Sequence, residues 1–358
     1  MNMLKRIGLA LAAPFIAVVV AVLATTAILM ATGNDAGEFW DALLSIPLPR
    51  NQVNIINQAS LIYISAVAAA IGFKMGLFNI GIEGQYTIAA YAAAAFAGAA
   101  FVPGLANVFL SLLIAVFVGA AWSGIAGILK TTRGVSEVIS TIMLNAIAVI
   151  LVGYLLDQYG VHEGNTVHTA YVPEESMMPG WAPFEPKDGE IWTLVLLALL
   201  VGFGYWFMLN RMVFGFDLRA SGQSATAARA SGVNANRMIL FAMILSGAVA
   251  GLTWMPSLFG DAKSYGTAFQ LGIGFLGLAV ALLGRNQPLG IAFGALLFAF
   301  LTAQSNTLTL SSSIPPSIVQ ITQGIAVLAV VVAYEVVRRY RTRIEQSNVA
   351  NELKSVTA

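Results

Sequence analysis

Charge is absent from this chain in long blocks, and that absence limits what it can fold into more than any other feature. Eight uncharged stretches lie between successive charged residues, at 7–34, 51–73, 84–129, 138–156, 191–210, 238–260, 264–284 and 286–334. A helix needs about 20 apolar residues to cross the hydrocarbon core of a bilayer, so each stretch can span at least once. Two are of double length. The first, 84–129, is interrupted by Pro103-Gly104, and 286–334 by Ser311-Ser312-Ser313-Ile314-Pro315-Pro316, both turn signals. The expectation is an all-α integral membrane protein of about ten transmembrane helices, forming one domain over 1–340. Its spans are expected near 8–32, 54–73, 84–102, 105–128, 137–156, 191–209, 238–258, 266–284, 288–309 and 317–337. Composition agrees: the chain is 58% hydrophobic and 10% charged, where a soluble domain carries about 25% charge. The apolar run after Arg6 reaches Ala31, longer than the roughly 7–15 residues of a signal-peptide core. It reads as an uncleaved first span.

Orientation follows from the positive-inside rule. With the N-terminus in the cytoplasm and one crossing per span, 15 of the 18 Lys and Arg residues fall on the cytoplasmic side. Arg50, Lys187 and Lys263 alone fall outside. Both termini are then cytoplasmic, 341–358 is a cytoplasmic tail, 157–190 an outer loop expected to pack as a cap, and 210–237 a small, basic cytoplasmic segment.

Several chemistries are excluded. There is no cysteine and the net charge is only +1, so thiolate chemistry is ruled out and nucleic acid is a poor partner. The two histidines, His162 and His168, have no third metal ligand placed near them in sequence, and no metal site is expected. The P-loop pattern is absent, so any ATP must bind in another subunit. Gly272-Ile273-Gly274-Phe275-Leu276-Gly277 matches the dinucleotide fingerprint, but it lies in an apolar span with Arg285 and Gln287 downstream. Helix packing or a helix break explains those glycines better. Packing is also the default for the pairs Gly72/Gly76, Gly247/Gly251 and Gly290/Gly294.

Polar residues inside apolar runs are costly and commonly functional. The densest cluster is Phe73-Lys74-Met75-Gly76-Leu77-Phe78-Asn79-Ile80-Gly81-Ile82-Glu83-Gly84-Gln85-Tyr86. A tight cytoplasmic loop is one reading. A broken helix whose backbone and side chains face a translocation pathway is the other. Alternation of apolar and polar residues favours the second, with Phe73, Phe78, Asn79, Glu83 and Gln85 as candidate pathway residues. Glu137 and Asn145, two turns apart on one span, join them as a polar helix face. Gln304, Asn306, Gln320 and Gln323 suit interhelical hydrogen bonding equally well. In the cytoplasmic segment, residues 223–230 read as a short Ala-rich helix with Ser221 as a possible N-cap. A surface loop is the plain interpretation, a docking helix for a cytoplasmic partner the sharper one.

Five runs taken in order resemble a known family. Gly76-Leu77-Phe78-Asn79-Ile80-Gly81-Ile82-Glu83-Gly84-Gln85 resembles the signature after the second span of ABC permeases of the branched-chain amino acid, ribose and nucleoside superfamily. Leu218-Arg219-Ala220 with Gly222, Ala227, Ala228 and Gly232 resembles its cytoplasmic coupling segment, although Ser221 stands where an aliphatic residue is expected. Ser246-Gly247-Ala248 through Leu252, and Phe275 through Pro288, resemble two later signatures. Glu137-Val138-Ile139-Ser140-Thr141-Ile142-Met143-Leu144-Asn145 is most similar to the nucleoside (basic-membrane-protein-linked) permeases.

The resemblance covers roughly 55–335 and implies a type II importer fold. The partners it implies are two cytoplasmic ATP-binding subunits that hold ATP and Mg, a second permease subunit (expected to be a homologue), and an extracytoplasmic solute-binding protein. This chain itself would hold no cofactor. Arg219, Gly222, Ala227, Ala228, Arg229 and Gly232 would then belong to the ATPase-coupling segment. Nucleosides or related purine or pyrimidine compounds are the expected cargo, and the location a bacterial cytoplasmic (inner) membrane. The same machine could carry simple sugars or branched-chain amino acids. A rival of another class is an ion-coupled secondary transporter with Glu83 and Glu137 as coupling carboxylates. An intramembrane enzyme fits poorly, because HExxH and GxSxG motifs are both missing.

Overall fold

The computed structural model describes residues 3–311, 315 and 317–356. The expected turn at Ser312, Ser313, Ile314 and Pro316 lies outside the described residues, as does the side chain of Asn306. The described chain is helical, with only two short antiparallel ribbons. It falls into two units, one of 1–46 with 301–358 and one of 47–300.

The first unit contains α1 (Met3–Ala31), α2 (Ala36–Leu44) and α14 (Ser317–Val356), joined by the end of α13 (Pro288–Ser311). α2 starts at Asp35, whose carboxylate accepts the Gly37 and Glu38 amides at 2.7 and 3.2 Å, an N-cap. α1 packs on α14 through Ala17, Ala329 and Ala333. Gln304 donates to the carbonyls of Ala42 and Ser45 at 3.0 Å, and Gln323 to Thr302 Oγ1 at 3.1 Å. These two amides are interhelical ties. The tail expected at 341–358 is helical through Val356, continuing α14.

The second unit holds α3 (Pro49–Lys74), α4 (Ile82–Ala99), α5 (Gly104–Arg133), α6 (Glu137–Tyr159), α7 (Val195–Arg211), α8 (Val213–Gln223), α9 (Ala225–Ala230), α10 (Ala235–Gly251), α11 (Met255–Ser257) and α12 (Ile273–Leu283). α3 opens on Pro49, whose missing N–H costs nothing in a first turn, and it is buried along most of its length. α6 does the opposite: Ile150 is 72% exposed and Met143 60%. Apolar side chains can face outward like this when the surroundings are hydrocarbon.

Glycines set the helix packing. A methyl group at Gly247 of α10 would overlap the Gly119 carbonyl of α5, and one at Gly251 the Ala115 carbonyl. The Gly247/Gly251 pair is therefore a close-approach seam, closed by Ser123 Oγ donating to the Met243 carbonyl at 2.7 Å. Gly290 and Gly294 of α13 meet Gly284, Leu283 and Val280 at the end of α12 in the same way.

Among the described residues, six helices are long and apolar enough to cross a membrane, and the pair α7–α8, bent by 76°, makes a seventh if counted as one span. The stretch 266–284, read from sequence as a span, is helical only from Ile273 to Leu283. Eleven residues rise roughly 16 Å at about 1.5 Å each, half the hydrocarbon thickness of about 30 Å. The cause is local: Gly272 sits at φ +97°, and Leu258–Ala262 is wound as a π-helix ahead of an irregular segment.

The 157–190 segment packs through its own backbone. The ribbon of β1 (Val161–Glu163) and β2 (Thr166–His168) and that of β3 (Gly180–Trp181) and β4 (Ile191–Trp192) give it shape. Amides of Thr169, Val172 and Met178 donate to carbonyls of Tyr265, Lys263 and Phe259 at 2.9, 2.7 and 2.9 Å. Asn57 of α3 clips its end, donating to the Glu190 carbonyl at 2.9 Å and accepting from the Trp192 amide at 3.1 Å.

Ser221 is no N-cap. It is buried within α8, and the short helix starts three residues later, with Ser224 Oγ accepting the Ala227 amide at 3.2 Å. Ser224 has φ −157° and ψ 108°, the extended geometry an N-cap requires.

Candidate functional site

The 73–86 cluster is a buried knot between two helices. α3 stops at Lys74, and the chain reverses through Gly76 at φ +77°, with the Leu77 amide returning to the Gly72 carbonyl at 3.0 Å. Glycine suits that left-handed position because it has no Cβ. From there into the first turn of α4, polar groups of Phe78, Asn79, Ile80, Glu83 and Gly84 reach other helices.

Asn79, 1% exposed, donates to Ser246 Oγ of α10 at 2.9 Å. Its Oδ1 accepts from the Gly81 amide at 3.0 Å and from Gln85 Nε2 at 3.0 Å. Ser246 passes the link to the Ala68 carbonyl of α3 at 2.7 Å. Asn145 of α6 binds the loop at two points, accepting the Gly84 amide at 2.8 Å and donating to the Ile80 carbonyl at 2.9 Å. Glu137 accepts the Phe78 amide at 3.4 Å and pairs with Lys130 of α5.

Glu83 makes the longest-range tie. Its carboxylate accepts the Gly272 amide at 2.6 Å and the Gly274 amide at 2.8 Å, and Tyr86 OH donates to it at 3.3 Å. The carboxylate thus caps the first turn of the half-length helix α12, where unpaired amides and the helix dipole favour negative charge. Gly274 has no room for a side chain, since a Cβ there would lie 2.5 Å from the Glu83 amide nitrogen. Glu83 does not pair with Lys74.

The structure brings all seven candidate pathway residues to one place but gives them unequal surroundings. Asn79, Glu83, Gln85 and Glu137 are buried with internal partners, and Asn145 is half-buried. Phe78 is 41% exposed and packs against half-buried Phe73 at 5.1 Å, with Phe275 50% exposed.

The 210–237 segment meets this knot directly. A Cβ at Gly222, the next-to-last residue of α8, would overlap the Lys74 carbonyl and lie 2.8 Å from the Met75 carbonyl carbon. Gly222 therefore rests backbone to backbone on the turn that starts the knot. Ala228 is buried at 3% exposure, Arg219 is half-buried, and Ala227, Arg229 and Gly232 face outward.

Two parts of the arrangement escaped the sequence. One is the pair of amides at Gly272 and Gly274, whose only signal was a glycine spacing. The other is an aromatic cluster beside Glu83. Phe269 packs on Tyr86, Trp254 and Tyr265 at 5.2, 5.2 and 4.4 Å, and Tyr91 meets Tyr265 at 5.8 Å. Of the histidines, His168 is buried with Nδ1 2.8 Å from the Thr169 carbonyl and Nε2 3.5 Å from Glu163.

These features define a multi-pass helical membrane protein with a discontinuous helix and a polar knot at its break. The chain belongs to the permease family described as branched-chain amino acid transport system, permease component, which matches residues 51–332. It is 32% identical to the guanosine ABC transporter permease protein NupP of Bacillus subtilis, covering 93% of this chain and 96% of the relative. To the nucleoside ABC transporter permease protein NupB of Lactococcus lactis subsp. cremoris it is 29% identical, over 90% of each chain. To the glucose ABC transporter permease protein TsgB13 of Haloferax volcanii it is 28% identical, over 81% of this chain and 78% of the relative.

Proposed function

We propose that this chain is the permease subunit of an ATP-driven importer for nucleosides or related purine and pyrimidine solutes in a bacterial inner membrane. The observation that carries the mechanism is the seating of Gly222 on the Lys74–Met75 backbone. Two cytoplasmic ATP-binding subunits grip the 215–233 segment. Their closure moves α8, and α8 pushes the turn after α3. The knot of Asn79, Asn145 and Glu83 passes that movement to α6, α10 and α12 together. A second permease subunit completes the pathway, and a solute-binding protein delivers cargo to the 157–190 side. ATP and Mg bind in the partner subunits.

The ten-span reading, with both termini cytoplasmic, is kept. It places Arg211, Arg219, Arg229 and Arg237 together on one side, takes Ala235–Ala262 as the seventh span and counts the eleven-residue α12 as the eighth. An ion-coupled mechanism is less well supported. Glu83 is committed to two backbone amides and Glu137 to Lys130, which leaves neither carboxylate open to bind an ion.

Nucleoside cargo rests on the two nucleoside-named relatives and on the exposed aromatic faces of Phe78 and Phe275, which suit stacking on a base. The test is competition: uptake of labelled guanosine by cells expressing the whole system, challenged with unlabelled solutes at 100-fold excess. Purine and pyrimidine nucleosides should suppress uptake at least about tenfold, while glucose and leucine leave it unchanged. Suppression by glucose or leucine alone contradicts the cargo assignment.

A further inference from the structure

An apolar groove between α3, α7 and α13 takes no part in the coupling route. It encloses about 490 Å³, floored by Ala59, Ala198, Gly202 and Ala292 and walled by Phe203 and Leu289. Its rim is open, with Phe203 63% and Leu289 77% exposed. At one end Trp206 lines the groove, and Arg211 sets its guanidinium 5.9 Å from that indole ring. Arg211 is exposed and makes no ion pair among the described residues.

The lining is apolar along nearly its whole length, as a lipid acyl chain requires. An apolar slot ending in an aromatic ring and a cation matches a lipid that carries its negative charge at the interface, where such residues anchor membrane proteins.

We propose that this groove binds an anionic phospholipid, with one acyl chain between α3, α7 and α13 and the phosphate-bearing headgroup against Arg211. The test uses the full-length permease, purified with its partner subunits, stripped of lipid and titrated with phosphatidylglycerol or phosphatidylethanolamine in native mass spectrometry. The tightest site should prefer phosphatidylglycerol about five-fold. Arg211→Gln should abolish that preference, and Ala292→Phe should weaken both lipids at least about five-fold by filling the groove. Arg211 lies on the exposed surface, so its variant keeps the test valid if Ala292→Phe fails to assemble. Leu199, which also lines the groove, can be replaced by a photo-crosslinking phenylalanine analogue. Adducts of lipid mass support the proposal. Crosslinks to protein, an unaltered preference in Arg211→Gln, or no preference in the wild type would each overturn it.

Discussion

Glu83→Ala is expected to cut uptake per permease molecule at least about tenfold and to lower the thermal midpoint of the purified complex by several degrees. The carboxylate is 5% exposed and satisfies the amides of Gly272 and Gly274. Each buried donor left unpaired costs about 1–3 kcal/mol, so the two together approach a sizeable part of a typical stability of about 5–15 kcal/mol. Uptake must therefore be normalised to the amount of permease in the membrane. Glu83→Gln keeps one acceptor oxygen and should fall between Ala and wild type on both measures. A direct substrate contact or an ion-coupling role would lower uptake and leave the midpoint unchanged. If Glu83→Ala loses neither stability nor uptake, α12 is held by something other than this carboxylate.

The second large effect is expected at Gly222. Valine there places its Cβ on the Lys74 carbonyl and 2.8 Å from the Met75 carbonyl carbon. Backbone cannot swing aside as a flexible side chain can, so α8 must lift from the turn. Uptake should drop to less than about a tenth of wild type, while the ATP-binding subunits still co-purify, because the outward face of α9 is intact. Ala227→Trp makes the complementary change. Ala227 is exposed, so a bulky residue there blocks docking and should reduce co-purification along with uptake. Ala228 is unsuited to this comparison, since its burial means that a large side chain would distort the segment itself. Normal uptake in Gly222→Val would show that force does not pass through the Lys74–Met75 turn.

Much of this architecture can be read from where charge is missing, because hydrocarbon tolerates so little of it. Six of the apolar stretches hold helices long enough to cross a membrane, and the Gly247/Gly251 spacing does mark a helix seam. Hydropathy cannot see a helix end inside an apolar run. Nothing in the composition of 264–284 announces that Gly272 takes φ +97° and leaves only eleven helical residues. Ser221 fails as an N-cap because α8 runs through it, and the sequence does not mark where that helix ends. The polar cluster at 73–86 was visible as a cluster, but its partners were not. Glu83 is matched by backbone amides 189 and 191 positions away, and amides leave no trace in a sequence. The contact of Gly222 with Met75 is likewise between two backbones. A glycine in each segment was the only sign of it.

Energy that enters this chain mechanically from ATP-binding subunits leaves a direct signature in what drives uptake. Proteoliposomes containing the permease pair, the ATP-binding subunits and the solute-binding protein would be assayed for initial labelled-guanosine uptake. Ion gradients would be collapsed by ionophores, with either ATP or a non-hydrolysable analogue supplied on the ATPase side. Uptake is expected with ATP, undiminished by ionophores, and none with the analogue. Uptake that follows an imposed proton or sodium gradient, and persists when the ATP-binding subunits are omitted, would contradict it.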